Sequence, residues 1–328
     1  MKKYLFILLF LNLSFSQSQV FELLDSNQTG VEFNNFIEDK KEHNILLYAN
    51  YYGGGGVGIA DFDNDGFQDI YFGGNLVSDV IYKNLGDFKF EDKTINSGIN
   101  DNGSWSSGVT IADVNNDGLV DVYVSKELYD DKPELRRNKL YINKGNFIFE
   151  ESSKSWGVDV SARTRHAVFF DYNNDGHLDL YLLNQPPNPG SYSKFFGSDL
   201  KLPEYSLQLF RNTGSNSFID VTEEAGLKRT GFPNSVVASD LNDDGLVDLY
   251  VANDFEAPDF LYFNNGDGTF SYETESSLKH TSFYSMGVDS ADINNDGELD
   301  IMVVDMTAED NFRLKSNMSG MNPSAFWK

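Results

Sequence analysis

The stretch that most restricts the fold is DFDNDGFQD, residues 61–69, because it returns four more times: DVNNDGLVD from Asp113, DYNNDGHLD from Asp171, DLNDDGLVD from Asp240 and DINNDGELD from Asp292. The copies begin 52, 58, 69 and 52 residues apart. A period of that length marks one supersecondary unit used repeatedly, which buries its apolar faces against its own copies. Carboxylates this close repel by about 1 kcal/mol per pair at 4 Å even in bulk water. Each loop therefore requires a positive partner.

Every copy places oxygen-bearing side chains at positions 1, 3, 5 and 9, glycine at 6 and an unrestricted residue at 7, where only the backbone carbonyl has an oxygen to offer in every copy. The candidate metal ligands are Asp61, Asp63, Asp65, Phe67 and Asp69 in the first loop, and Asp113, Asn115, Asp117, Leu119 and Asp121 in the second. The third offers Asp171, Asn173, Asp175, His177 and Asp179; the fourth, Asp240, Asn242, Asp244, Leu246 and Asp248; the fifth, Asp292, Asn294, Asp296, Glu298 and Asp300. Oxygen donors in a tight, glycine-turned loop suit a hard cation, and their number suits calcium better than magnesium. Five Ca2+ would bring the formal charge from −26 to −16. At positions 1, 3, 5 and 9 the first loop holds four carboxylates and the others three, so the charge of those ligands predicts that it binds most tightly.

An EF-hand needs glutamate at position 12 and a helix on each side. Here position 12 of the first copy is Phe72, and the flanks (GVGIA and DIYFGG, GVTIA and DVYVSK) read as strands. After the first four loops come IYKNLGDFKFED, LYINKGNFIFEE, LFRNTGSNSFID and LYFNNGDGTFSY, each reading as two strands joined by an Asn/Gly turn. One repeat is therefore four antiparallel strands with the acidic loop between the first two. The expected fold is an all-β propeller built from such blades.

These motifs resemble the FG-GAP/VCBS repeat proteins, with calcium loops like those of the integrin α-subunit propeller. Within that family the chain is most similar to the secreted Bacteroidetes group related to cartilage acidic protein, of ASPIC/UnbV type. The lead-in TGVEFNNFIEDKKEHNILLYANYYGGGGVGIADFDNDG and the late VVDMTAEDNFRLKSNM belong to the same resemblance. It implies about seven blades in a full protein. Five are represented here across 51–328, the last without its LYxNxG hairpin, after a lead-in at 17–50.

Ahead of the repeats, Lys2 and Lys3, the apolar run YLFILLFLNLSF and small residues up to Ser16 have the form of a secretory signal peptide at 1–16. A secreted or cell-surface protein with no direct membrane insertion after cleavage is expected. Without any cysteine, disulfides are excluded as its staple, which leaves that role to metal ions. The charge of −26 excludes nucleic acid as a partner, while 27 Phe and 17 Tyr supply a large core.

The long insertions, 126–137 and 184–204, fall on the face opposite the acidic loops, where binding residues usually sit. Trp105, Phe232 and Tyr284 recur eight residues before their loops, with Arg163 at the same position in the third repeat. His166 replaces a residue that is small elsewhere, with Arg163 and Arg165 just before it. Together these mark a candidate site for an extracellular glycan or protein. No GxSxG, HExxH or paired nucleophile and base is present. A non-enzymatic binding or adhesion scaffold is the expected function, with a lyase-like polysaccharide enzyme or its sugar-binding subunit as the alternative.

Overall fold

The computed structural model describes residues 21–306 apart from 49, 102, 188–204 and 256. The leader at 1–16, most of the second long insertion and most of VVDMTAEDNFRLKSNM lie outside the described residues.

Each acidic loop joins two strands, and the later Asn/Gly turns join two more. The first sheet comprises β1 (Val57–Ala60), β2 (Asp69–Phe72), β3 (Val80–Asn84) and β4 (Phe90–Asp92). The second comprises β5 (Trp105–Ala112), β6 (Asp121–Glu127), β7 (Lys139–Asn143) and β8 (Phe149–Glu151). In the third are β9 (Thr164–Phe170), β10 (Asp179–Asn184), β11 (Gln208–Asn212) and β12 (Phe218–Asp220). The fourth holds β13 (Pro233–Ser239), β14 (Asp248–Asn253), β15 (Phe260–Asn264) and β16 (Phe270–Tyr272). Among the described residues the fifth pairs only β17 (Ser285–Ala291) with β18 (Asp300–Asp305). Strand order is sequential and every pairing antiparallel. The first strands β1, β5, β9, β13 and β17 touch in succession, so the sheets stack face to face. The chain is all-β, and its four-stranded sheets are consistent with propeller blades.

The core lies between the sheets. Alternate residues of a strand point to opposite faces, so a strand flanked by two sheets must be apolar throughout. In β10, Leu180 and Leu182 pack with Tyr123, Leu140 and Ile142 of the second sheet, while Tyr181 and Leu183 pack with Leu249, Val251 and Tyr262 of the fourth. Each such side chain contributes about 2 kcal/mol by leaving water. The outward faces of the end sheets differ: Val57 and Ile59 in β1, and Met302 and Val304 in β18, are exposed.

Polar staples tie the layers together. The Asn of the LYxN pattern closes strand three and spends its whole side chain on backbone groups. Asn212 donates to the carbonyls of Leu178, in its own acidic loop, and Val114, in the preceding repeat's loop, at 3.1 and 2.9 Å, and it accepts from Gly214. Asn143 bridges to Phe62 and Asn264 to Tyr172 in the same way.

No strand forms between residues 21 and 48. This lead-in instead covers the first two sheets: Phe33 stacks on Phe72 at 4.8 Å, and Tyr48 meets Trp105 edge-on at 6.1 Å.

Removing a buried amide strands the carbonyls it served, at a cost of about 1–3 kcal/mol. Asn212→Ala should therefore lower the chemical-denaturation midpoint more than Asn84→Ala, because Asn84 donates only to Gln68 within its own sheet's loop. Equal midpoint shifts would remove the inter-sheet staple as a source of stability.

Candidate functional site

All five acidic loops adopt one backbone course, and their residue types explain it. Position 4 is left-handed in each, at Asn64, Asn116, Asn174, Asp243 and Asn295, with φ from 56° to 61°. Asn and Asp tolerate that region best among residues with a Cβ. Position 6 has φ from 84° to 94°, which only glycine adopts without strain. The first aspartate then reaches across its own turn. Asp61 Oδ1 and Oδ2 accept from the amides of Asp65 and Gly66 at 3.0 and 2.8 Å, and the other loops repeat the pattern. The position-5 carboxylate accepts from the position-7 amide, at 3.0 Å from Phe67 and 2.9 Å from Leu119.

Position 9 plays a different part. Asp69, Asp121, Asp179 and Asp248 are completely buried. One oxygen accepts from the amide at position 2, the other from the amide of the strand-three Asn, as in Asp179 with Tyr172 and Asn212 at 3.1 and 2.7 Å. Burial pushes Asp121 and Asp179 up to about 7, against the pull of those amides. A cation in the loop would oppose that shift by favouring the ionised form.

Of the predicted ligands, the structure draws Asp61, Asp63 and Asp65 together, with one oxygen of each within 4.8 Å of the others. That spacing and an all-oxygen donor set let this triad hold a metal ion. Buried Asp63 Oδ1 has no hydrogen-bond partner, as a donor kept for an ion would. In the second and third loops Asn115 and Asn173 stand at position 3, and their amides donate to Asp117 and Asp175 at 2.9 Å. The position-7 side chains Phe67, Leu119, His177 and Leu246 lie against Gly86, Gly145, Gly214 and Gly266 of their own hairpin turns. His177 is thereby placed over a turn, away from the opposite face.

On that opposite face, the candidate ligand residues are largely engaged by the protein itself. Trp105 is 1% exposed beneath Tyr51. Arg163 forms a forked pair with Asp130 at 2.8 and 2.5 Å, under the Tyr48 ring. Phe232 is buried edge-on to Phe255, while Tyr284 is half-buried beside Phe283. His166 lies against Gly108 of the neighbouring first strand. None of the five lines the pocket found there, a space of about 370 Å3 bounded by Asn50, Tyr52, Gly53, Arg165, Asn234, Asp254, Phe255, Met286 and Met306.

The residues that do reach this pocket have a common origin. Each of β5, β9, β13 and β17 contains a bulge that leaves one residue unpaired: Ser107, Arg165, Asn234 and Met286. All four stand six positions before the first aspartate of their loop. A bulge re-aims the side chain it releases, and three of these four line the pocket. Arg165 is held by Glu127 at 3.7 Å and by the Gly53 carbonyl at 3.3 Å. Burial pushes Asp254 up to about 6.

Burial, helped by the charge of Arg165, holds His166 down at about 4. Unfolded, it titrates near 6.5. Between those values the unfolded chain binds more protons, so the residue's contribution to stability falls as pH drops from about 6.5 to about 4 and is flat above. Carboxylates titrate in part of this range, so the readout is a difference. His166→Gln should lose less melting temperature than the natural protein between pH 6.5 and pH 4.5, and identical losses would contradict a buried neutral imidazole.

The FG-GAP-like repeat model matches residues 61–124, 130–182 and 240–303, more than half of the chain. Cartilage acidic protein 1 of Homo sapiens is 25% identical over 263 residues, covering 75% of this chain and 38% of that protein. The Xenopus tropicalis protein is 24% identical over 282 residues, covering 81% and 42%. The chain thus spans about two fifths of the length of these relatives. A solved structure described as an Agrocybe aegerita lectin recognising non-reducing terminal N-acetylglucosamine aligns at 18% identity with a TM-score of 0.44, covering 75% of this chain and 59% of its own. A superposition that loose bears on no ligand of this chain. The chain belongs to the FG-GAP-like repeat family and is a distant relative of cartilage acidic protein 1.

Proposed function

We propose that this is a secreted or cell-surface, calcium-stabilised propeller that works as a binding or adhesion scaffold without catalysis. The observation that carries the reading is the fivefold return of one acidic loop with the same amide bonds and the same left-handed turn, in a family whose repeats often bind calcium. In each loop the residues at positions 1, 3 and 5 and the carbonyl at position 7 hold the ion, and the position-9 aspartate anchors the loop while adding charge. The ring of about seven blades continues past the two exposed end faces, at Val57 and Ile59 on one side and Met302 and Val304 on the other.

The ligand, an extracellular glycan or protein, sits on the face opposite the loops. What supports this is the pocket built from bulge residues of successive sheets: its guanidinium, carboxylate, amides and aromatic rings are the mixture that binding sites for polar ligands use. Rigid strands carry the residues, and a change of residue at the bulge alters recognition without disturbing the blade.

Calcium that binds only the folded chain stabilises it by about 2.7 kcal/mol per site at a hundredfold excess over Kd. The melting temperature should therefore rise by several degrees or more from chelator to millimolar calcium, and equal values in the two would remove the scaffold reading of the loops. For the ligand face, glycan-array binding is paired with a lyase assay on acidic polysaccharides. Retained binding without turnover, lost in Arg165→Ala, is the expected result; turnover would replace the scaffold with an enzyme.

A further inference from the structure

Loop one differs from the other four in a way that reverses the order expected from ligand charge. Its four carboxylates are joined by Lys83, which projects from β3 of the same sheet. The Lys83 ammonium hydrogen-bonds both Asp63 and Asp65, the latter at 2.7 Å, and lies 5.5 Å from the centre of the Phe147 ring in the next repeat. The Lys83 and Asp63 side chains are 21% and 15% exposed, while Asp65 lies at the loop surface with its side chain 30% exposed. The equivalent strand-three positions in the next three repeats hold Ile142, Arg211 and Phe263, and among the described residues Arg211 forms no ion pair with its loop's carboxylates.

We infer that Lys83 is a built-in counter-ion of the first loop, which competes with a divalent cation for Asp63 and Asp65 and makes this loop the weakest metal site of the five. The inference rests on the calcium reading of the loops. Counting charge at positions 1, 3, 5 and 9, four carboxylates and one ammonium leave −3, the same as the three carboxylates at those positions in each other loop. The additional aspartate at position 3 and the lysine thus cancel. For an ion to enter, the ammonium must first give up two charge-assisted hydrogen bonds and its place beside the aromatic ring, losses the other loops do not incur. The first blade is therefore held in shape by protein alone when metal is scarce, while its neighbours depend on the ion.

Calcium titration calorimetry and thermal melts of the natural protein, Lys83→Met and Lys83→Arg test this. The natural protein should show one site weaker than the rest. In Lys83→Met that site should tighten about tenfold, the equivalent of one charge-assisted hydrogen bond removed from the competitor. The same variant should melt lower in chelator and recover in calcium. Lys83→Arg keeps the charge and should keep the weak site. An unchanged set of affinities in Lys83→Met, or an unchanged melt in chelator, would overturn the competition. Loss of stability in chelator with no gain in affinity would leave Lys83 as packing alone and also overturn it. If no loop of any variant takes calcium, the calcium reading itself fails, a result the calorimetry separates from the others because it affects all five loops together.

Discussion

The constraint beneath this architecture is the crowding of carboxylates at the turn between the first two strands of every repeat. A loop that places negative groups at positions 1, 5 and 9, and in the first repeat at 3 as well, stays closed only if each is answered. The answers are divided. Position 1 is met by two amides of its own turn, position 5 by one, and position 9 by amides of two different segments. Amides meet these charges only in part, as the raised pKa of buried Asp121 and Asp179 indicates. Under the calcium reading proposed above, a bound cation supplies the rest.

From that turn the rest of the blade follows. The position-9 carboxylate bonds the amide of the strand-three Asn, whose side chain reaches the preceding repeat's loop, so one loop's closure is mechanically joined to the next. The packed layers between sheets then bury the second strand of each inner repeat on both faces. At the far end of the first strands β9, β13 and β17, bulges release one residue each into a shared pocket. One end of each sheet thus carries the acidic loop, and the other end of the third to fifth sheets carries the pocket proposed above as the ligand site.

Most of the fold was legible in the sequence because its signals are local. GVTIA and DVYVSK became β5 and β6, and LYINKGNFIFEE became β7 and β8. Position 4 Asn and position 6 Gly are the residues a left-handed turn selects. What stayed hidden depends on distance or register. The LYxN asparagine looks like a turn residue until its amide is found bonded 98 residues away, from Asn212 to Val114. Positions eight before each loop drew attention because Trp105 and Phe232 are large, yet the bulge two residues later sends Arg165, Asn234 and Met286 to the pocket instead. Lys83 lies outside the nine-residue motif, so counting loop carboxylates alone overstates the first site.

The most direct measurement is an anomalous-scattering map from crystals grown in excess calcium and then exchanged into a heavier lanthanide. Peaks inside the acidic turns, ringed by the oxygens of positions 1, 3 and 5, are expected at the second to fifth repeats, with the first repeat weakest. Turns without density at saturating metal, in an intact array of sheets, would mean that the protein closes them unaided and that cations are not what holds this fold together.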